Sequence, residues 1–143
     1  MEISRKTDYA IRLVAALMLN EGKPLSVRKA ASMQDVPYSF ARGIQHDLVK
    51  SGVVTTSRGA HGGMMLAIDP DEYTLAELIE TLQGPIRLAI CLSEDGWCPR
   101  DSNCVFHQVW EGGSSLVFDY LSSISMKEII KGKQPYIKNL LSQ

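Results

Sequence analysis

The order of breaks and caps between residues 1 and 68 constrains this chain most. Ser4 stands before a run in which Tyr9, Leu13, Ala16, Leu17 and Met18 recur at helical spacing, a serine cap followed by an apolar stripe. The run ends at Asn20-Glu21-Gly22, and Pro24 lies in the connection. Ser26 opens a second, short helix with Val27, Ala30 and Met33 on one face. Asp35-Val36 forms a tight turn, and Pro37 suits the first position of a third helix, where its missing N–H is not needed. Phe40, Ile44 and Leu48 supply a stripe expected to be buried, and Gly52 stops the helix. Two short strands follow, the β-branched Val53-Val54-Thr55-Thr56 and the apolar stretch from Met64 to Ile68. Ser57-Arg58-Gly59-Ala60-His61-Gly62-Gly63 between them is a glycine-rich hairpin tip.

The rest of the chain is helical with one interruption. Thr74 and Glu77 make a capping box for a helix with Leu75, Leu78, Ile79 and Leu82 as its apolar face, closed by Gly84-Pro85. After a loop, helical spacing resumes with Val105, Val109, Leu116, Val117, Tyr120, Leu121 and Ile124. Gly112-Gly113 lies inside that run, at about 1 kcal/mol per glycine relative to alanine, so a kink or weak point is expected there. Ser125 and Glu128 form a second capping box, for a helix ending near Gly132. The expected organisation is a winged helix-turn-helix unit over 1–84, a cysteine-bearing loop over 85–104, helices over 105–131 and a tail over 132–143. The fold class is mainly α with a small β-hairpin.

Helix, helix, turn, helix, hairpin is the order of a winged helix-turn-helix, with residues 37–51 as the recognition helix. If Phe40, Ile44 and Leu48 face inward, Tyr38, Ser39, Arg42, Gln45 and His46 reach the outer face. Arginine suits guanine or phosphate, glutamine suits adenine, and serine suits either. Lys50, near the helix end, is placed for phosphate. Arg58 and His61 sit at the hairpin tip, where a glycine-flanked arginine is slim enough for a narrow minor groove. Arg5 and Lys6 open the first helix and suit neighbouring phosphates. Charge agrees: residues 1–66 hold nine Lys/Arg against five Asp/Glu, a balance of +4, and residues 67–143 hold six against eleven, a balance of −5. Three short helices and a hairpin also build protein-interaction modules, and polar residues on a helix also serve as a solvated face.

Cys91, Cys98 and Cys104 are the chain's three cysteines. An odd number argues against a disulfide framework, and clustering argues against three independent buried thiols. The layout is Cys-x6-Cys-x5-Cys-x2-His, ending at His107. Those spacers are too long for a zinc knuckle but let one loop wrap a larger iron–sulfur cluster, for which thiolates are the usual ligands and histidine an accepted substitute. A closed structural zinc site on the same four residues, in a protein-interaction module, is the alternative. A redox enzyme is disfavoured because no Cys-x-x-Cys is present. No nucleophile elbow, phosphate loop or nucleotide fingerprint occurs, so neither an enzyme nor a small-molecule substrate is expected. The apolar run Leu13–Leu19 is seven residues, too short to span a bilayer, and no signal-peptide layout precedes it. A cytoplasmic protein with no membrane partner is expected.

These residues together resemble the Rrf-two family of bacterial transcription regulators. The resemblance is carried by Thr7-Asp8-Tyr9-Ala10-Ile11-Arg12, by Gly52-Val53-Val54 leading into the Ser57–Gly63 tip, by Thr74-Leu75 with Gly84-Pro85, and by the cysteines. It covers roughly residues 1–130. It implies double-stranded DNA as partner and a homodimer paired through the long C-terminal helix, with Arg58 as wing arginine and Ser39-Phe40 at the start of the recognition helix. It also implies repression or activation of genes for iron, sulfur, nitrosative or oxidative stress through an iron–sulfur cluster. Two subfamilies offer different ligand sets. The iron–sulfur assembly regulator holds a 2Fe–2S cluster with a histidine at the place of His107, but has one fewer residue between its first two cysteines and an acidic residue where this chain has Arg42. In the nitric-oxide sensor, an aspartate at the place of Asp8 comes from the partner subunit to a 4Fe–4S cluster. This chain carries both candidates.

Overall fold

The computed structural model describes residues 1–94, 98–100 and 103–136. Three helices, α1 (Arg5–Leu19), α2 (Val27–Met33) and α3 (Tyr38–Lys50), precede an antiparallel hairpin of β1 (Val54–Ser57) and β2 (Gly63–Leu66). Then come α4 (Leu75–Gln83), a single 3-10 turn at Ile90–Leu92, the long α5 (Val105–Ser122) and the short α6 (Met126–Ile130). Part of the expected tail, residues 137–143, lies outside the described residues.

The helices start where side chains can take up otherwise unpaired backbone N–H groups. Ser4 Oγ accepts from Thr7 N–H at 3.1 Å, and Ser26 Oγ accepts from Lys29 N–H at 3.2 Å. Both capping boxes form: Thr74 with Glu77 on α4 and Ser125 with Glu128 on α6. Pro37 sits one place outside α3 as its cap, and its carbonyl accepts from both Phe40 and Ala41.

One core gathers Ala10, Leu13, Val14 and Leu17 of α1, Ala30 and Ala31 of α2, and Ala41, Ile44 and Leu48 of α3. Val53, Val54 and Met64 of the hairpin, Leu78 of α4 and Met126 of α6 complete it. Each fully buried leucine contributes about 1.5–3 kcal/mol. The alanines matter as much as the large residues, because small side chains let helices approach closely. That explains two departures from the sequence expectation. The inward stripe of α3 is Ala41, Ile44 and Leu48, while Phe40 is 57% exposed. On α2, Ala30 and Ala31 are buried and Met33 is exposed. In both helices the inward position is an alanine of the core, and the larger neighbouring side chain faces out.

The hairpin is fastened to the helical unit. Leu25 and Met64 exchange backbone hydrogen bonds at 3.0 and 2.8 Å, so the loop before α2 adds a short rung beside β2. A Cβ at Gly63 would stand 2.7 Å from the backbone carbon of Leu25, which explains the glycine. The far end of the chain returns to the same core. Met126 N–H donates to Tyr73 C=O at 2.8 Å, Lys127 Nζ meets Asp71 at 2.6 Å, and the Met126 side chain is buried.

A second, smaller cluster joins α4 to α5: Ala76, Ile79 and Ile86 pack against Val117, Phe118 and Leu121. Gly112-Gly113 does not break the helix, since α5 runs from Val105 to Ser122. Gly113 instead makes room for a neighbour, because a Cβ there would lie 2.6 Å from Leu88 Cδ1. Leu88 N–H donates to Ser114 Oγ at 2.9 Å beside it. Gly112 has open space around it. Gly112→Ala is therefore expected to stabilise the fold by about 0.5–1 kcal/mol, read as a raised thermal midpoint; a lowered one would mean Gly112 has a packing role. The opposite side of α5 leaves Phe106 62% exposed and Val109 59% exposed, with Trp110, Leu116 and Tyr120 continuing the stripe.

Candidate functional site

α3 presents its polar residues outward because Ala41, Ile44 and Leu48 fix the opposite side. Arg42, Gln45 and His46 line a shallow groove with Val49 and with Thr56 of β1. Arg42 and His46 are exposed and Gln45 is half-buried. Ser39 is exposed on the same outward side, one turn before Arg42 and Gly43. Tyr38 is engaged: the Arg28 guanidinium lies over its ring, 4.0 Å from the centroid. This stacks a cation of α2 on the first residue of α3, and sequence spacing alone gave no sign of Arg28.

On the flank toward α1, Tyr9 meets Phe40 edge-on with ring centroids 5.9 Å apart, and Arg5 lies 5.9 Å from the Tyr9 ring centre. Lys6 Nζ is 2.6 Å from Asp47 Oδ2. Lys6, Asp47, Lys50, Ser51 and Thr81 share a cleft of about 360 Å³ between α1, α3 and α4. The Lys6 hydrogen bond holds the Asp47 carboxyl below the usual carboxylate range, partial burial opposes this, and the charges of Lys6, His46 and Lys50 add to the lowering. Sequence reasoning passed over Asp47, although it is the single acidic residue of α3. Gly43 was also missed. It is exposed in mid-helix with nothing within 4 Å of a Cβ position, so no packing need explains its small size.

The hairpin tip carries Arg58 and His61, both exposed. Gly59 holds φ at +105°, and Gly62 N–H closes the turn onto Gly59 C=O at 3.1 Å. A Cβ on Gly62 would fall 2.3 Å from Ser57 O, so the tip can turn this tightly only with glycine there. The result is a narrow projection on which Arg58 is the cationic group.

Cys91 lies in the Ile90–Leu92 turn, and Cys104 caps α5, its carbonyl accepting from His107 N–H at 3.1 Å. Cys91, Cys98 and Cys104 are half-buried free thiols. Cys91 and His107 line one cleft with Arg87, Ser93 and Glu111. Among the described residues no group of three or more His, Cys, Asp or Glu side chains is placed to hold a metal ion. Asp8, the other candidate donor, is paired with Arg12 of its own helix at 3.1 Å.

The family model for Rrf2, described as an iron-dependent transcriptional regulator, matches residues 3–132. The chain belongs to the Rrf2 family. The HTH-type transcriptional regulator IscR of Photorhabdus laumondii is 29% identical over 136 residues, covering 94% of this chain and 82% of that protein. The HTH-type transcriptional regulator NsrR of Shouchella clausii is 26% identical over 132 residues, covering 91% and 89%. The solved structure of T. potens IscR superposes with a TM-score of 0.71 at 26% identity, covering 92% of this chain and 88% of that one. As an Rrf2 protein the chain is a transcriptional regulator and not an enzyme. The helix-turn-helix and hairpin described above are the family's winged-helix unit. Among the described residues no helix is long and apolar enough to cross a membrane. The donors of the cysteine segment, soft thiolates with one imidazole, are of the kind that suit an iron–sulfur cluster.

Proposed function

We propose that this Rrf2 regulator acts in the cytoplasm as a homodimer that reads double-stranded DNA and is controlled through an iron–sulfur cluster held by its cysteine segment. The carrying observation is that Arg42, Gln45 and His46 stand together on the outward side of α3 beside the hairpin whose tip exposes Arg58. In this reading α3 enters a major groove, with Ser39, Arg42, Gln45 and His46 as base-edge candidates. Arg58 and His61 reach the adjacent groove, and Arg5 and Lys50 meet phosphate. Tyr38, under Arg28, orients that cation at the start of the helix. The exposed apolar stripe of α5 supports pairing of two copies.

Cys91, Cys98, Cys104 and His107 are the proposed ligands, with Asp8 of the partner subunit as an alternative fourth. A cluster on such donors supplies sensitivity to oxidant, nitric oxide or iron supply. The protein offers a route from this segment to the DNA-reading unit. The segment follows directly on α4, whose last residue, Gln83, accepts from Ser4 N–H at 3.3 Å and donates to Glu2 C=O at 3.1 Å. A change in the segment's path therefore acts on the start of α1, which flanks α3.

The test uses full-length protein purified without oxygen and a duplex selected from a random library. Iron and sulfide bound to the protein, with affinity for the duplex that changes on their removal, is the expected result. Equal affinity before and after removal would discard the sensing role and keep the DNA reading. A colourless protein with stoichiometric zinc and no salt-dependent DNA affinity would favour the zinc-stabilised interaction module.

A further inference from the structure

Asp47 is out of place on a surface built for polyanion. α3 otherwise carries Arg42, His46 and Lys50 outward, and residues 1–66 are net basic. A carboxylate on this helix repels phosphate and lowers duplex affinity. Its position gives it a second effect. It lies on the flank facing α1, where its Oδ2 stands 2.6 Å from Lys6 Nζ, with side chains 37% and 62% exposed. Lys6 is on the first turn of α1, next to Arg5, and shares the cleft with Lys50. Without Asp47 it would be a third cation at this corner, free to meet a phosphate. As a structural pin the pair would contribute little, because exposed ion pairs are weak in water.

We infer that Asp47 is a specificity-determining residue that keeps Lys6 out of phosphate contact and so limits sequence-independent DNA binding. Base-edge contacts by α3 and the hairpin tip are unaffected by this pairing, whereas the backbone term common to every sequence is reduced. The ratio between preferred and arbitrary duplexes rises accordingly. The inference rests on the duplex reading proposed above.

The experiment measures affinity of the full-length protein for a selected duplex and for an unrelated one across a salt series. It compares the parent, Asp47→Asn, Lys6→Ala and the double variant. Asparagine keeps the shape of the side chain and can still accept a hydrogen bond, so the fold is not at stake; thermal midpoints verify this. Each phosphate neutralised adds about 0.9 to the magnitude of the slope of log K against log salt. Asp47→Asn is expected to steepen the slope by about that amount and to tighten the unrelated duplex several-fold. Lys6→Ala is expected to leave the slope alone in the parent and to undo the steepening in the Asp47→Asn background. Matching slopes for parent and Asp47→Asn would overturn the inference while leaving the duplex reading in place. Equal steepening in the double variant would assign the effect to charge alone and overturn the role given to Lys6. A parent that binds neither duplex would remove both readings together.

Discussion

Arg58→Ala is expected to weaken binding to a preferred duplex by about 1–3 kcal/mol. Three features of the tip support that size. Arg58 is exposed and projects from a turn that contains Gly59, Gly62 and Gly63, so it reaches further than a side chain on a flat surface. The tip is narrow because a Cβ at Gly62 would collide with Ser57 O. The strand register Ser57 opposite Gly63 places Arg58 one residue beyond the last pair. If Arg58 reads a groove, the loss is larger on the preferred duplex than on an unrelated one. If it meets only phosphate, both duplexes lose equally and the salt slope falls by about 1. A titration curve matching the parent would take Arg58 out of the contact surface.

Gly63→Ala should cost about 3 kcal/mol of stability, near the top of the usual range for single substitutions. The added methyl would lie 2.7 to 2.9 Å from the C, O and N atoms of Leu25. These are backbone atoms, and two hydrogen bonds to Met64 fix them, so the contact cannot be relieved by a side-chain rotation. Gly63 also holds φ at +156°, adding backbone strain for an L side chain. Chemical denaturation gives the stability, and duplex binding of the folded fraction should fall as well, because the tip is displaced. A stability within 1 kcal/mol of the parent would show that the Leu25 rung yields easily.

Much of the fold was legible before any coordinates. The caps at Ser4, Ser26, Thr74 and Ser125 are short-range chemistry, and each appears where the sequence placed it. The glycine-rich tip is equally local. What sequence spacing missed depends on distance between elements. Phe40 fits an inward stripe by spacing, yet Ala41 takes the buried place and Phe40 lies half outside against Tyr9 of α1. Gly112-Gly113 reads as a break, although Gly113 answers to Leu88, which precedes α5 in the chain. Arg28 over Tyr38 and Lys6 against Asp47 are pairs between helices with no signature in either helix alone. The cysteines were conspicuous as a chemical set, whereas the contact of Leu88 with Gly113 and Ser114, which anchors the chain just before them, has no signature in the spacing.

Met126 fills a position in the core that begins at Ala10, and Ile129 packs beside it. On a ribosome the N-terminal helices emerge first, and the piece that completes their packing emerges last among the described helices. Until residue 126 is clear of the exit tunnel, the nascent winged unit carries an unfilled apolar notch. A message cut short before α6 therefore yields a product lacking this plug, with the rest of its core left less well filled.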